Sequence, residues 1–222
     1  PPKPSGSFTV ALGDMGNFDL VLVVGSTRSY LDSIYDYVIG ADNDGALDPK
    51  SGWATEWTSS AGGASWTIKG RSDIQFHDGT KARSHDVKFG LDRYLNPEST
   101  LPFAETAIET IDSVAAPDSS SVAVTLKKAD IFFPLTFLSR VGNAGGPSHL
   151  VPQGHIQFNG EDEANTNPVG SGPYKFDSVS LGNKLELTAV NKHWLHGIPR
   201  SAQLNFNKIP EESTRLAVLR TG

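Results

Sequence analysis

Residues 53–92, WATEWTSSAGGASWTIKGRSDIQFHDGTKARSHDVKFGLD, decide the fold because their side-chain pattern changes from strand periodicity to helix periodicity. Residues 65–69, SWTIK, alternate polar and apolar side chains, so a strand places Trp66 and Ile68 on one buried face. The segment WATEW at 53–57 predicts a neighbouring strand that is also rich in aromatic residues.

A third strand, a tight turn and a helix complete this stretch. Ile74 and Phe76 repeat the alternation, and residues 78–79, Asp-Gly, favour a tight turn because Gly tolerates positive φ and Asp bonds its own backbone. Ser84 is a typical helix N-cap, and Asp86 lies in the first turn, where the helix dipole favours negative charge. The predicted helix has one apolar stripe, formed by Val87, Leu91, Tyr94 and Leu95.

The same two periods predict the remaining elements. Strands are expected at 8–12, 122–126, 184–190 and 204–209, and another begins at Tyr174. Residues 104–114 are expected to form a short helix or strand. A helix is expected from Thr27 to Gly40, with apolar residues Leu31, Ile34, Tyr35 and Val38. A second helix begins at Phe132 and has Phe137 and Leu138 as apolar residues. A third begins at Ser213 and has Leu216 and Leu219. Residues 42–45 favour a hairpin turn, and 142–147 and 159–168 are polar connections.

Composition is typical of a globular protein and excludes several functional classes. The 222 residues are 37% hydrophobic and 20% charged, which suits one or two domains with a packed core. The most apolar stretch, residues 20–24, is too short to span a bilayer. A net charge of −6 without a dense Lys or Arg run argues against nucleic-acid binding. The chain has no Cys, which excludes disulfides, Cys-ligated zinc and thiol catalysis.

Several blocks in a fixed order resemble one known family. These are the motifs within 53–92 together with NPVGSGPYKF at 167–176, NKHW at 191–194 and IPEESTRLAVL at 209–219. Together they resemble the extracellular solute-binding proteins of ABC importers, in the class that takes up oligopeptides, dipeptides and nickel complexes.

The resemblance implies an α/β fold of the periplasmic-binding-protein type II kind. Residues 1–47 would begin the larger lobe, 48–168 would form an inserted mixed α+β subdomain, and 169–222 would return to the larger lobe. Relatives are more than twice as long, so the second lobe is expected to be absent and the chain to be a truncated fragment that binds ligand poorly by itself. An export signal, and in some organisms a lipid-bearing Cys, would precede residues 1–7, PPKPSGS.

The resemblance also suggests ligand-contact residues. Met15, Gly16, Asn17 and Phe18 lie on the loop beside the expected cleft, and Phe103 and Arg140 occupy positions that reach the ligand in nickel-binding relatives. An Arg there can hold a peptide or chelator carboxylate by two parallel hydrogen bonds. The alternative is that Phe103 belongs to the core and Arg140 is a surface ion-pair partner.

No motif indicates catalysis, a metal site or a cofactor. Gly170-Ser171-Gly172 lacks the strand-to-helix context of a hydrolase nucleophile, and a structural turn is expected there. His193 and His196 lack a third ligand, so structural or solvent-facing roles are expected. The imidazole of His77 is expected to bond locally.

The leading hypothesis is therefore a monomeric receptor, periplasmic or extracellular and in some organisms lipid-anchored, that is not an enzyme. It would close two lobes on a peptide, a chelated metal or a similar solute and deliver it to a membrane permease, with ligand favouring the closed form. The alternative is a small secreted glycan-active hydrolase that uses Trp53, Trp57 or Trp66 as a sugar platform beside paired carboxylates. A third possibility is a scaffold fragment without a ligand. The receptor hypothesis predicts mostly buried Trp side chains and an apolar, exposed last helix.

Overall fold

The computed structural model describes residues 3–15, 28–142, 147–180 and 182–221. These residues form two four-stranded sheets and one two-stranded hairpin, and helices pack against both larger sheets. Each larger sheet has its own hydrophobic cluster.

The first sheet combines one early strand with three late ones. Its strands are β1 (Ser7–Leu12), β8 (Tyr174–Ser180), β9 (Lys184–Ala189) and β10 (Gln203–Lys208), in the order β1-β10-β9-β8. β1 is parallel to β10, and the other neighbours are antiparallel. Helix α1 (Arg28–Ile34) buries Tyr30, Leu31 and Ile34 in the cluster that also contains Leu185 and Phe206.

The second sheet is built from consecutive parts of the chain. Its strands are β4 (Ala54–Ser59), β5 (Ser65–Gly70), β6 (Ile111–Asp118) and β7 (Ser121–Leu126), all antiparallel in the order β4-β5-β7-β6. The short strands β2 (Gly40–Ala41) and β3 (Leu47–Asp48) form the hairpin that precedes this sheet.

Helices α2 to α6 follow in chain order, and α7 closes the described part of the chain. Their bounds are α2 (Ser84–Leu95), α3 (Ala104–Thr110), α4 (Phe133–Phe137), α5 (Gln153–Asn159), α6 (Glu161–Thr166) and α7 (Glu212–Thr221). None of the helices among the described residues has the length and apolar character needed to cross a bilayer.

Residues 53–92 form most of the elements that their sequence pattern predicts. Trp66 and Ile68 are buried on one face of β5, and Val87, Leu91 and Tyr94 form the buried stripe of α2. Asp78 Oδ1 accepts the backbone N–H of Thr80 at 2.8 Å, which makes the predicted turn. The turn predicted at 42–45 is also present, since Asp42 Oδ1 accepts the N–H groups of Asp44 and Ala46 at 2.9 Å each.

Two predictions within that stretch are wrong in detail. Ile74 and Phe76 are buried, but their segment makes only an isolated bridge between Gln75 and Lys81 instead of a strand. Ser84 is the first helical residue rather than the N-cap of α2. The Asp86 carboxylate accepts the N–H of Arg83, the residue at the N-cap, at 2.8 Å.

The first predicted helix is too long. It ends at Ile34 because the following residues adopt extended pairings with distant segments. Tyr37 and Ile39 form isolated bridges to His149 and Ser139, and Val38 N donates to Ser148 O at 2.7 Å. Its predicted cap, Thr27, lies outside the described residues.

The predicted polar connection at 159–168 instead contains α6. The boundaries 1–47, 48–168 and 169–222 stay a prediction.

Helix α7 has the exposed apolar face that the receptor hypothesis predicts. Leu219 is 80% exposed, and Leu216 and Val218 are also exposed. Arg215 anchors the start of the helix by donating to Ile209 O at 2.7 Å and to Pro210 O at 2.6 Å.

Candidate functional site

A cavity of about 440 Å³, here called the Arg140 cavity, lies at the end of α1. Its wall includes Asp32, Asp36, Tyr37, Asp42, Arg140 and His196. The cavity therefore combines one guanidinium with several carboxylates, which suits a polar or zwitterionic small molecule.

Asp32 is the centre of a charged network in this wall. Its carboxylate accepts the phenolic O–H of Tyr37 and lies 3.9 Å from Arg28 Nε, 4.0 Å from Arg140 Nε and 3.8 Å from His149 Nε2. Burial acts to raise the pKa of Asp32, but the nearby His149 ring, the hydrogen bond from Tyr37 and the positive charge of Arg28 hold it below its usual range. Asp32 is therefore ionised at neutral pH.

Local structure explains how this network forms. Arg28 and Asp32 lie four residues apart on α1, and such residues face each other on a helix. Tyr37 and His149 are brought together by an antiparallel bridge, and their rings lie 4.6 Å apart. Burial, followed by the negative charge of Asp32, raises the pKa of Tyr37, so its hydroxyl stays protonated and donates.

Arg140 is held by its backbone, and no described residue accepts a hydrogen bond from its guanidinium. Its N–H donates to Ile39 O at 3.1 Å, and its carbonyl accepts from the guanidinium of Arg28. The side chain is 52% exposed, and Asp32 at 4.0 Å is its ion-pair partner within the described ranges. That distance is beyond hydrogen-bond range. The terminal N–H groups are thus available for a carboxylate.

A second carboxylate in the wall of the Arg140 cavity, that of Asp36, is buried. Asp36, 7% exposed, accepts the indole N–H of Trp194 at 2.7 Å and lies 3.2 Å from His193 Nε2. The backbone N–H groups of Leu195 and His196 donate to His193 Nδ1, so the proton of the neutral ring is on Nε2, which donates to Asp36.

The predicted structural role of the two histidines agrees with this arrangement. The rings of His193 and His196 stack 5.0 Å apart, and His193 is committed to Asp36. Burial, and next the neighbouring His193, lowers the pKa of His196. Among residues 3–15, 28–142, 147–180 and 182–221, no group of three His, Asp or Glu side chains could hold a metal ion.

His77 bonds to a distant segment, so the expectation of a local partner was wrong. Its Nε2 lies 2.9 Å from Gly172 O, and its Nδ1 accepts from Gly170 N at 3.4 Å. Burial lowers the pKa of His77. The Gly170-Ser171-Gly172 segment is a close-packed turn, as predicted: a Cβ at Gly170 would lie 2.0 Å from Ile34 O.

A second, smaller cavity, here called the Phe103 cavity, has a volume of about 280 Å³. Phe103, Thr106, Thr110, Asp130, Thr136, Phe137 and Pro147 line it. Phe103 is 37% exposed and has a φ of 69°, the left-handed region that bulky side chains rarely adopt.

The structure separates the predicted ligand residues. Arg140 and Phe103 line different cavities, and Met15 is 4% exposed within the cluster around α1. Gly16, Asn17 and Phe18 lie outside the described residues. The roles of all six in ligand binding stay predictions. Sequence reasoning missed Asp32, Tyr37 and His149; only the spacing of Arg28 and Asp32 on a predicted helix signalled part of this network.

The tryptophans do not form the platform that the hydrolase alternative requires. Trp53 is fully buried and Trp66 is 8% exposed. Trp57 and Trp194 are partly buried and pack against the cluster of the second sheet. The described residues therefore present no exposed row of Trp side chains.

Comparison with known proteins identifies the family. The family described as "Bacterial extracellular solute-binding proteins, family 5 Middle" matches residues 48–222. The chain belongs to this family. Members of this family are extracellular, and the predicted resemblance is confirmed.

Individual relatives cover nearly the whole chain but are much longer. A glutathione-binding protein, GsiB, of Pectobacterium atrosepticum is 28% identical in an alignment 220 residues long that covers 92% of this chain and 40% of that protein. The chain thus spans about 40% of the length of the curated relatives it matches.

Solved structures confirm the predicted fold class. The periplasmic binding protein AgaA from A. tumefaciens R10, in complex with agropinic acid, superposes with a TM-score of 0.83 at 26% identity and covers 98% of this chain and 42% of that one. The periplasmic binding protein DppA from Helicobacter pylori, in complex with a peptide, gives 0.84 at 23% identity, over 99% of this chain and 46% of that one. The family 5 chain therefore has the α/β fold of type II binding proteins.

Proposed function

We propose that this family 5 chain contributes the Arg140 side of the solute-binding cleft in the receptor of an ABC importer. The solute is a peptide or a similar small molecule with a carboxylate, and a membrane permease receives it. Arg140 is the carboxylate anchor. The half-exposed guanidinium at the wall of a 440 Å³ cavity is the observation that supports this most directly.

The chemistry of the cavity agrees with that role. A guanidinium whose terminal N–H groups are unshared can bind a carboxylate through two parallel hydrogen bonds. The Arg28 contact to the Arg140 carbonyl and the Ile39 contact to its N–H fix the backbone from which the side chain projects. This preorganisation reduces the ordering cost of binding.

The relatives support the solute class without defining the solute. The named relatives bind glutathione, agropinic acid or a peptide. Each of these ligands contains at least one carboxylate. Peptides, glutathione and opine-type acids are thus the first compounds to test. An extracellular location follows the family, and a lipid anchor remains part of the proposal.

A titration series tests the anchor. The protein expressed from its intact gene is titrated calorimetrically with glutathione and with di- to pentapeptides, and the tightest ligand is then used with variants. Arg140→Gln removes charge-assisted hydrogen bonds of about 1.5–3 kcal/mol, so Kd rises about 10- to 100-fold. Arg140→Lys retains the charge but loses the two-point geometry, and gives an intermediate Kd.

Arg200→Gln is the matched control, since Arg200 is exposed and is not among the residues that line the Arg140 cavity. It makes the same charge change and leaves Kd unchanged. Equal Kd values for Arg140→Gln and Arg200→Gln would refute Arg140 as the anchor. If no compound in the series bound to the unaltered protein, the proposed solute class would be wrong.

A further inference from the structure

We propose that a further cavity, here called the Lys175 cavity, binds a small organic anion with two or more negative charges, either a phosphate ester or a polycarboxylate. Lys175 and Lys192 supply the positive charge, and Ser171 supplies a hydroxyl donor. None of the residues that line this cavity is among the six ligand residues that the family resemblance suggests. The proposal does not rest on the solute of the Arg140 cavity.

Three segments of the chain form the Lys175 cavity. Its volume is about 620 Å³, and its wall comes from residues 73–79, 171–175 and 189–194. Pockets for small-molecule ligands have volumes of about 300–1,000 Å³. The space therefore suits a whole small molecule.

Hydrogen bonds between these segments hold the wall in place. His77 Nε2 lies 2.9 Å from Gly172 O, which links the first segment to the second. Val190 N donates to Pro173 O at 3.1 Å, which links the second segment to the third. The backbone around the cavity is therefore set before a ligand arrives, and this reduces the ordering cost of binding.

The charges of the wall favour an anion. Asp73 is balanced, because its carboxylate lies 2.8 Å from Arg71 Nε. Lys175 and Lys192 form no ion pair with the residues that the structure describes. Two unpaired ammonium groups thus make a local positive site on a chain of net charge −6. Ammonium groups are compact point charges, so they bind phosphate and carboxylate oxygens alike.

The position of Lys175 on β8 explains why its side chain lines the cavity. Tyr174 and Phe176 pack against the hydrophobic cluster of the first sheet, and neighbouring residues of a strand face opposite sides, so Lys175 leaves the other face. Burial is the main cause that lowers the pKa of His77, and the positive charge of Lys175 acts in the same direction. The Lys175 ammonium therefore acts on a group in the wall of the cavity.

A buried hydroxyl without a partner is an independent observation. Ser171 is 3% exposed and lines the cavity, and its Oγ has no hydrogen-bond partner among the described residues. A buried O–H group that lacks an acceptor costs stability. A bound oxyanion provides that acceptor, and hydrogen bonds from a hydroxyl to an ionised oxygen are strong.

Calorimetric titration with glycerol 3-phosphate and with citrate tests the site and distinguishes the two kinds of ligand. The protein expressed from its intact gene is expected to bind at least one of the two saturably, with a Kd that rises as salt is added, and not to bind glycerol. Tighter binding of glycerol 3-phosphate assigns the cavity to phosphate esters, and tighter binding of citrate assigns it to polycarboxylates.

Lysine variants test the source of the positive charge. Lys175→Gln and Lys192→Gln each raise Kd about 3- to 10-fold, a moderate effect because both lysines are exposed and water screens their charge. Lys128→Gln makes the same charge change at an exposed lysine that does not line the cavity, and it leaves Kd unchanged.

Ser171→Ala separates a ligand contact from a structural role. It raises Kd about 3- to 10-fold but does not lower Tm, since its hydroxyl has no partner to lose among the described residues. A lower Tm with an unchanged Kd would overturn the role of Ser171.

Three results would overturn the anion site itself. The first is that neither compound binds saturably. The second is that Lys175→Gln and Lys192→Gln bind as tightly as Lys128→Gln. The third is that Arg140→Gln weakens binding while the two lysine variants do not, which would place the anion in the Arg140 cavity.

Discussion

Asp86 joins two helices through its carboxylate, and its replacement tests how much that junction contributes to stability. One oxygen accepts the N–H of Arg83 at the start of α2, at 2.8 Å, and the other accepts the N–H of Gln153 at the start of α5, at 2.9 Å. The residue is 9% exposed. Asp86→Ala removes both acceptors at once.

The expected loss follows from these two contacts. The capping contact to Arg83 contributes about 1 kcal/mol, and the contact from Gln153 to a buried carboxylate contributes about 1.5–3 kcal/mol. The free energy of unfolding should therefore fall by about 2–4 kcal/mol. For a chain of this size, Tm falls by about 5–15 °C. Asp86→Asn retains one acceptor oxygen and loses about half as much.

Urea unfolding followed by circular dichroism, at about pH 4 and at pH 7, measures these losses. Burial raises the pKa of Asp86, although its hydrogen bonds from Gln153 and Arg83 oppose the shift. Between the pKa of Asp86 in the unfolded chain and its higher pKa in the folded protein, the folded protein binds more protons. The contribution of this carboxyl group to the free energy of unfolding is therefore fully present below the unfolded pKa. It declines as pH rises through the folded pKa. The loss in Asp86→Ala is expected to be larger at pH 4, near the unfolded pKa of about 3.9, than at pH 7.

Asp92→Ala is the control for Asp86, since Asp92 is on the same helix and pairs with Lys88 at the surface. An exposed pair of this kind contributes about 0–1 kcal/mol. The reasoning is refuted if Asp86→Ala is as stable as Asp92→Ala, or if Asp86→Asn and Asp86→Ala lose the same amount.

Two further predictions concern packing and pH. Gly70→Ala would place a Cβ 2.0 Å from Trp53 Cε2, so we expect a loss of at least about 1–3 kcal/mol in thermal unfolding, and no loss would contradict the packing of Trp53. Burial lowers the pKa of His77, so its contribution to stability is present above about pH 6.5 and is lost as pH falls; His77→Gln should flatten the stability profile between about pH 5 and 6.5, and identical profiles would show that His77 does not titrate there.

Local periodicity predicted the elements whose stability is local. The alternation around Trp66 and Ile68 and the stripe of α2 depend on neighbours two to four residues away, and both are present. The end of α1 was predicted wrongly because Tyr37 and Ile39 pair with His149 and Ser139, about a hundred residues later in the chain. No helical or strand period in a single sequence contains that information.

The same limit applies to the candidate site. Arg140 was selected through the family resemblance, it lines a cavity, and its role in ligand binding stays a prediction. The residues that surround it, Asp32, Tyr37 and His149, meet only after long-range pairing. Phe103 was also selected through the resemblance, but its positive φ was not visible in the sequence, because a left-handed Phe has no propensity signal.

Hydrogen bonds and ion pairs between polar groups, in addition to apolar packing, hold distant segments of this chain together. Asp36 with His193, His77 with Gly172, and Asp86 with Gln153 each join segments that are far apart in sequence. Buried polar groups stabilise only when their partners are in place, so they favour one relative arrangement of those segments. Of these groups, Asp36 lies in the wall of the Arg140 cavity. Under the proposed function, a solute carboxylate meets a guanidinium whose backbone is already fixed, so less of the interaction energy is lost to ordering the protein.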